Sequence, residues 1–282
     1  MTVTAIIDVN YMARRAYYSR ANLELENGVI FGFLRDVAAE LQFFAVDTAV
    51  FCFDSLKSER MKIDPLYKCS RAERLKKMNA DEYKAEMKFC EQVIALPRYL
   101  RKIGYANIFQ QDGYEADDLM AACCNSFPGR KFLISADRDL FQLLTSQVSC
   151  WNPQQKKMTS LTSFQRKYEI GPDEWVSVKA IAGCGTDDIT GVRGVGEKTA
   201  IKYLRRDLGR HTAAYGAIRA AAERIDTNRV LVRLPFPGCR ACEPQPDDNP
   251  TADGWARAAK KLGIPLLARL APGGRRKKVV GG

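Results

Sequence analysis

The sequence predicts an α/β fold in which helices cover a mostly parallel sheet. Short apolar runs alternate with segments of helical spacing along roughly the first 170 residues. The chain has 282 residues, of which 46% are hydrophobic and 27% charged, so it can form a sizeable core in one large domain or two smaller ones. Alternation of strand and helix is typical of parallel sheets, because parallel strands are joined by helical crossovers.

Five apolar runs are predicted as strands. They are, in chain order, Val3–Ile7, Ala49–Phe53, 107–109, Lys131–Ser135 and 148–151. Helical spacing runs from Phe31 to Phe44 and from Glu115 to Asn125. We expect residues 1–170 to form the core, with an insertion at about residues 64–102 between the second strand and the third.

The pattern changes from Pro172 onward, where two helical patterns flank a glycine-rich turn. One helix is predicted over Glu174–Ala182 and another from Glu197 to about Asp207, with the turn at Gly191–Gly196. This spacing predicts a helix–turn–helix in a second region, residues 171–233.

Proline and glycine are frequent beyond that region. Residues 234–282 are therefore predicted to be largely extended. A short helix is expected over Thr251–Leu262, and a mobile basic tail at 273–278.

Charge and cysteine content narrow the function classes. The formal net charge is +11, which favours a polyanionic partner. No apolar run approaches the roughly 20 residues that a membrane span needs, and the first eight residues lack the basic start of a signal peptide, so we expect a cytoplasmic protein.

The nine cysteines are expected as reduced thiols; Cys239 and Cys242 could supply half of a zinc site, but no second pair lies nearby. His211 is the single histidine, which argues against a Ser/His/Asp triad.

Three apolar runs lead into aspartates, at Asp8, Asp54 and Asp137. The carboxyl ends of parallel strands share one edge of the sheet, so these carboxylates should converge. Their mutual repulsion is costly unless a cation neutralises it. The simpler interpretation is that aspartate often caps the helix that follows a strand, and each residue alone allows it.

Further carboxylates strengthen the metal interpretation. They are Glu115, Asp117 and Asp118 at a predicted helix start, Asp139 two residues after Asp137, and Asp187 and Asp188 before the glycine turn. Acidic side chains in a first helical turn also have a simpler role, because they stabilise the helix dipole. Many carboxylates without histidine suit magnesium, and two such ions about 4 Å apart would serve a nuclease or a phosphatase.

Six short motifs that contain these carboxylates and basic residues occur in the same order as in the 5′-nuclease family, which this sequence resembles. That family includes flap endonucleases and bacteriophage-type 5′–3′ exonucleases. The matching stretches are 7–10, 53–54, 67–71, 114–118, 135–139 and 183–200. The resemblance implies a PIN-like nuclease core, a helical arch at about 64–102 and a helix–three-turn–helix DNA-binding element. The small size and the lack of a polymerase region resemble a phage enzyme most, which would place it in the host cytoplasm.

The same resemblance assigns ligands for two Mg²⁺ ions, with Mn²⁺ as a substitute. The first ion would be served by Asp8, Asp54, Glu115, Asp117 and Asp118. The second would be served by Asp137, Asp139 and Asp187, with Asp137 near both ions. The sequence departs from the family at Cys184, where the family has an aspartate. Thiolate suits magnesium poorly, so we expect weaker binding of the second ion unless Asp188 compensates.

DNA contacts are also implied. Lys68 and Arg71 would contact the scissile phosphate, so that with Asp137 they form the predicted catalytic set. Tyr67 and Tyr83 would stack on bases, and Arg14 or Arg15, of which we select Arg15, would contact a nearby phosphate. The turn residues Gly191, Gly194 and Gly196, with Lys198 and Thr199, resemble the family's duplex-binding hairpin, which implies a potassium ion there. Between residues 193 and 233, ten Lys/Arg face four Asp/Glu.

The sequence therefore predicts a monomeric, magnesium-dependent 5′ nuclease. Its expected substrates are DNA with a 5′ flap or a free 5′ end, with RNA–DNA hybrids as a further class. Two alternatives stay open: a non-catalytic DNA-binding module weakened by Cys184, and a PIN-type ribonuclease, against which the arch and the helix–turn–helix argue.

Overall fold

A computed structural model describes residues 1–19 and 25–271 of the chain. These residues contain a six-stranded sheet and a two-stranded hairpin. The strands are β1 (Val3–Asp8), β2 (Thr48–Cys52), β3 (Ile108–Phe109), β4 (Arg130–Ile134), β5 (Val148–Asn152), β6 (Lys157–Thr159), β7 (Gly183–Cys184) and β8 (Ile189–Thr190). The large sheet has the order β3-β2-β1-β4-β5-β6, and β7 pairs with β8.

Strand direction in the large sheet brings the predicted carboxylates to one edge. The first five strands are parallel, and only β6 runs antiparallel to its neighbour. The chain passes from β1 to β2 on one side and later returns to β4 on the other side. The ends of β1, β2 and β4 are therefore adjacent at the point where strand order reverses, which is where open α/β sheets bind ligands.

Eleven α-helices lie among the described residues. They are α1 (Val9–Tyr17), α2 (Gly28–Phe43), α3 (Cys69–Lys77), α4 (Ala80–Ile103), α5 (Ala116–Ser126), α6 (Leu161–Tyr168), α7 (Trp175–Ala182), α8 (Glu197–Leu204), α9 (Ala213–Ala220), α10 (Ala222–Val232) and α11 (Ala252–Leu262).

Helices cover both faces of the large sheet. Ile6 of β1 packs into a core shared with α5, α7 and α10. Its neighbours Ala5 and Ile7 pack on the opposite face, against α1, α2, α4 and α11. Because successive side chains of a strand point to opposite faces, a continuous apolar run is what a strand buried on both sides requires.

Helices α3 and α4 occupy the insertion between β2 and β3. Helix α4 begins with a reciprocal capping box between Asn79 and Glu82. Farther along, Glu86 accepts a bidentate hydrogen bond from Arg14 of α1, whose guanidinium also lies 3.6 Å from the Phe89 ring centroid. The middle of α4 is therefore fixed to the core, whereas α3 contributes no buried residue.

The segment after residue 233 packs back on the core. Asp248 accepts hydrogen bonds from the backbone of Ala106 and Asn107, and Thr251 donates its N–H to Ile103. At Gly254 of α11, a β-carbon would lie 2.0 Å from the carbonyl oxygen of Ile103, so only glycine permits this close approach to α4.

The predicted α/β fold is confirmed, with boundary shifts of one to three residues at most elements. Phe53 and Ser135 lie just beyond their strands. Strands β6 to β8 and helices α1, α6, α9 and α10 were not predicted, because their patterns are short or, in α10, lack a single apolar face. The predicted basic tail at 273–278 lies outside the described residues. Within those residues, every helix is too short or too polar to cross a membrane.

Candidate active site

Asp8, Asp54, Asp117 and Asp137 form what we call the first cluster. Asp8 ends β1, and its Oδ2 accepts a hydrogen bond of 2.9 Å from the hydroxyl of Ser135, which follows β4. Asp54 follows β2, and its Oδ1 accepts one of 2.8 Å from the N–H of Ala116 at the start of α5. Asp117 is the next residue of α5. The predicted convergence at the sheet edge is thus what the backbone produces.

Burial and, after it, mutual repulsion raise the pKa values of carboxylates in the first cluster. Burial raises the pKa of Asp8 to about 7, and the charges of Asp54 and Asp137 add to the rise. Burial also raises the pKa of Asp117 well above its usual range, followed by the charges of Asp137, Asp8 and Asp54. Asp8 does cap α1, through the N–H of Tyr11, so the capping interpretation and the convergence both hold for it.

Glu115 has different surroundings. Its Oε2 accepts hydrogen bonds from the Tyr67 hydroxyl at 3.1 Å and the Lys68 ammonium at 2.5 Å. Burial by itself would raise the pKa of Glu115, but the charges of Lys68 and Arg60 hold it below its ordinary value. This carboxylate is therefore ionised and already paired with a cation.

Asp118 is removed from the predicted ligand set. It is fully buried, and the guanidinium of Arg60 donates to both of its oxygens at 2.7 and 2.8 Å. The N–H groups of Phe236 and Glu115 complete its hydrogen bonds. With both oxygens occupied by buried donors, Asp118 fastens α5 to the segment before α3 and to the C-terminal segment.

Asp139, Cys184 and Asp187 form the second cluster. Their ligand atoms lie within 4.8 Å of one another. Among the described residues, no other three His, Cys, Asp or Glu side chains, those of the first cluster included, form a group this compact. The Lys179 ammonium of α7 lies 2.9 Å from Asp139. On the other side, Asp187 lies 3.0 Å from the Arg71 guanidinium and 3.4 Å from the Lys68 ammonium.

Cys184 supplies a thiol to this cluster. Its Sγ donates to Asp187 Oδ2 at 3.3 Å and lies 3.1 Å from the Thr186 hydroxyl. Burial, followed by the charge of Asp187, raises the pKa of this thiol to about 11. Burial, followed by the charge of Asp137, raises the pKa of Asp139 to about 6.

The suggestion that Asp188 compensates for Cys184 is wrong in this structure. Its Oδ2 accepts a hydrogen bond of 2.9 Å from the N–H of Ser70, in the first turn of α3. The carbonyl of Asp187 also accepts from the N–H of Lys68, the left-handed residue that precedes α3. The turn 185–188 therefore caps the base of α3 instead of adding a carboxylate to the second cluster.

Lys68 and Arg71, predicted to contact the scissile phosphate, lie beside Glu115 and the second cluster, and their charges also act on Asp54. Lys68 bridges Glu115 and Asp187, and Arg71 pairs with Asp187. Tyr67, in contrast, is 3% exposed, and its hydroxyl is bonded to Glu115. The expectation that its ring stacks on a base is corrected, because the ring is buried. Tyr83 on α4 is 49% exposed.

The glycines of the turn Gly191–Gly196 have two different roles: one is needed for close packing, and two have open space around them. At Gly191 a β-carbon would lie 2.2 Å from the carbonyl oxygen of Ala182, so this glycine is required for close packing. Gly194 has a φ of +76°, and at Gly194 and Gly196 a β-carbon would meet no described atom within 4 Å. Gly196 precedes α8, on which Lys198 is exposed and Thr199 is half-buried. The backbone of Gly194 and Gly196 is thus accessible to a ligand.

Two cations near the site were missed by the sequence analysis, and one predicted contact is already occupied. Lys179 could have been found as the lone charge in an otherwise apolar helix, whereas nothing local distinguishes Arg60. The guanidinium of Arg15 is paired with Asp36 of α2, so a phosphate contact would require breaking that pair.

The two clusters differ in their fit to a hard divalent cation. The first cluster offers carboxylate oxygens whose repulsion a cation would relieve, and this donor set suits magnesium. The second offers two carboxylates already paired with cations and a protonated thiol, which does not suit magnesium.

Comparison with known proteins supports the same architecture. The bacteriophage T5 flap endonuclease, solved as a pseudo-enzyme–product complex with DNA and metal ions, superposes with a TM-score of 0.72 at 21% identity, over 95% of this chain and 99% of that one. The catalytic core of Rad2, solved with a DNA substrate, gives 0.59 at 15% identity, over 95% and 90% of the two chains. The fold is thus a PIN-like core with a helical arch, as predicted.

Sequence relatives lie in longer proteins. DNA polymerase I of Thermus thermophilus is 26% identical over 208 residues, and that of Mycobacterium tuberculosis is 27% identical over 239 residues. The matches cover 71% and 79% of this chain but only 23% and 24% of the polymerases. The family described as 5′-3′ exonuclease, N-terminal resolvase-like domain, matches residues 3–169. With that match over more than half of its length, the chain belongs to this 5′–3′ exonuclease family.

Proposed function

We propose that this protein is a magnesium-dependent, structure-selective 5′ nuclease that acts on DNA as a 5′–3′ exonuclease and a 5′-flap endonuclease. One observation carries the proposal: four carboxylates converge at the switch point of the sheet, and Lys68 and Arg71 lie beside them at the base of α3. This combination suits hydrolysis of a phosphodiester, because the carboxylates can hold a metal ion while the two cationic side chains neutralise charge on the phosphate.

The ion is proposed at the first cluster. Asp8, Asp54, Asp117 and Asp137 would hold it, directly or through water. Magnesium, when bound, would neutralise charge on the phosphate and favour deprotonation of the attacking water. Mn²⁺ is proposed as a substitute. Because these carboxylates sit on strand ends and on the first turn of α5, the fold sets their positions before any substrate arrives.

Lys68 and Arg71 are proposed to bind the scissile phosphate. Both side chains extend from the start of α3 toward carboxylates, and Arg71 is about half exposed. A phosphate placed between the clusters would replace Glu115 or Asp187 as an anionic partner. The two cations would then stabilise the charge that develops on the leaving oxygen.

The DNA would be held by two separate surfaces. Residues 67–88 of the arch carry seven basic and four acidic side chains, which suits passage of a single-stranded 5′ end. Gly194, Gly196 and Lys198 present open backbone and a cation before α8, which suits duplex phosphates. Four further predictions remain part of this proposal: a potassium ion at the glycine turn, RNA–DNA hybrid substrates, a monomeric state and a cytoplasmic location. Affinity should fall steeply with salt.

A non-catalytic DNA-binding protein is the second candidate, favoured by Cys184 in the second cluster. A labelled 5′-flap duplex incubated with Mg²⁺, and separately with chelator, decides between the two. We expect cleavage that requires Mg²⁺ and is absent in Asp137→Ala. Binding of the duplex without metal-dependent cleavage would instead identify the second candidate.

A further inference from the structure

We propose that the second cluster is neutralised by cationic side chains of this same chain, so that the protein holds one magnesium ion tightly, at the first cluster, and a second only weakly. The inference concerns the metal stoichiometry of the proposed nuclease and deepens that proposal.

Three ion pairs supply positive charge to the second cluster. Lys179 lies 2.9 Å from Asp139, and the side chains of both residues are 11% exposed. Arg71 and Lys68 lie 3.0 and 3.4 Å from Asp187. The two carboxylates of the cluster therefore face three cations, which explains how their oxygens come within 4.8 Å of each other.

The third member of the cluster adds no charge. The Sγ of Cys184 donates to Asp187 Oδ2 at 3.3 Å, so it is a partner of the carboxylate and not a competitor for a cation. A magnesium ion would gain a soft and neutral ligand at this position, where a carboxylate would have supplied a hard and anionic one.

Displacing the internal cations would be costly. A divalent ion at Asp139 would separate a buried ammonium from its carboxylate, and a buried charge that loses its partner destabilises the structure strongly. At the first cluster, no such pair has to be broken at Asp8, whose oxygens accept from the Ser135 hydroxyl and the Tyr11 N–H. Magnesium should therefore prefer the first cluster by more than about tenfold in affinity.

Manganese binding to the whole chain without DNA tests this inference. Free Mn²⁺ is counted by electron paramagnetic resonance during a titration. We expect one tight ion in the wild type, with any second ion weaker by more than about tenfold. Cys184→Asp should gain a second ion of comparable affinity, because the new carboxylate adds a negative charge and an oxygen ligand to the second cluster. Lys179→Met should also strengthen the second ion.

Two matched variants should behave as the wild type does. Cys184→Ser removes the thiol and stays neutral, whereas Thr190→Asp adds a carboxylate to an exposed position of the same hairpin. Two ions of equal affinity in the wild type would overturn the inference, as would loss of a tight ion in Cys184→Ser. If Cys184→Asp fails to fold, the wild type and Lys179→Met still decide. Absence of flap cleavage by a wild type that binds one ion would count against the proposed function alone.

Discussion

The two acidic clusters share a boundary between Asp137 and Asp139, yet they differ in their ion pairs. In the first, carboxylates are buried beside other carboxylates, and the pKa values of Asp8 and Asp117 are raised. In the second, lysine and arginine side chains lie 2.9 to 3.4 Å from the carboxylates. Among the described residues, the charges of Lys68 and Arg71 act on the first cluster without forming an ion pair there, whereas the carboxylates of the second cluster are ion-paired directly.

This difference shows that residue type alone does not identify a metal ligand. Asp117 and Asp118 are adjacent in the same helical turn, but Asp118 is saturated by Arg60 while Asp117 faces Asp8, Asp54 and Asp137. Whether a carboxylate can bind a metal ion depends on whether a cationic side chain of the protein is already paired with it.

The largest effect is expected from Asp117→Asn compared with Cys184→Ser. Removing the Asp117 charge takes a ligand from the first cluster, so Mg²⁺-dependent flap cleavage should fall on the order of 10³-fold. Cys184→Ser exchanges one neutral group for another, so its cleavage rate should remain close to that of the wild type. Single-turnover rates at saturating Mg²⁺ measure both. Equal losses in the two variants would abolish the distinction between the clusters.

Asp118→Asn separates a structural carboxylate from a ligand. The Arg60 guanidinium, whose side chain is 3% exposed, would lose its charged partner, so the free energy of unfolding should fall by about 3–5 kcal/mol. Urea unfolding measures this loss. Asp226→Asn is the matched control, because its pair with Arg229 is largely exposed and should contribute at most about 1 kcal/mol. A normal stability of Asp118→Asn with lost Mn²⁺ binding would restore Asp118 to the ligand set.

The convergence of the first cluster could be predicted from sequence, but the partners of the individual carboxylates could not. Apolar runs that end in aspartate, joined to parallel pairing, suffice to bring Asp8, Asp54 and Asp137 to one edge. The pairing of Asp118 with Arg60 joins positions 58 residues apart, and that of Asp139 with Lys179 joins helices from different regions. The burial of Tyr67 likewise depends on tertiary packing, since its apolar neighbour Leu66 is 65% exposed.

Asp8→Asn tests, through pH, the burial and repulsion that raise the pKa of Asp8 in the first cluster. Because the folded-state pKa of Asp8 is near 7 and its ordinary value is 3.8, the folded chain keeps a proton that the unfolded chain loses. The stability that Asp8 contributes is therefore complete below about pH 4 and declines as the pH rises toward about 7, by at most about 1.4 kcal/mol per pH unit.

Asparagine carries no charge and can still accept at the cap of α1. In chelator, Asp8→Asn should thus be more stable than the wild type at neutral pH, and the difference should disappear near pH 4. Thermal unfolding across this range, with chelator and with Mg²⁺, measures the effect. Mg²⁺ should raise the wild-type midpoint most at the higher pH values. A wild type that is more stable than the variant at neutral pH in chelator would contradict the predicted repulsion.

The smallest effect is expected at Asp188, which lies beside the second cluster but serves α3. Its Oδ2 accepts from the Ser70 N–H, and the residue itself has a left-handed backbone with φ of +57°. Asp188→Gly keeps that backbone conformation and removes the cap, which should cost about 1 kcal/mol. Asp188→Asn keeps both the acceptor and a tolerance for this conformation. Hydrogen exchange over Cys69–Lys77 should therefore accelerate about fivefold in the glycine variant and remain unchanged in the asparagine variant. Equal exchange in all three proteins would mean that the Asp188 carboxylate does not stabilise the base of α3, and that any coupling of this turn to α3 passes through Asp187 alone.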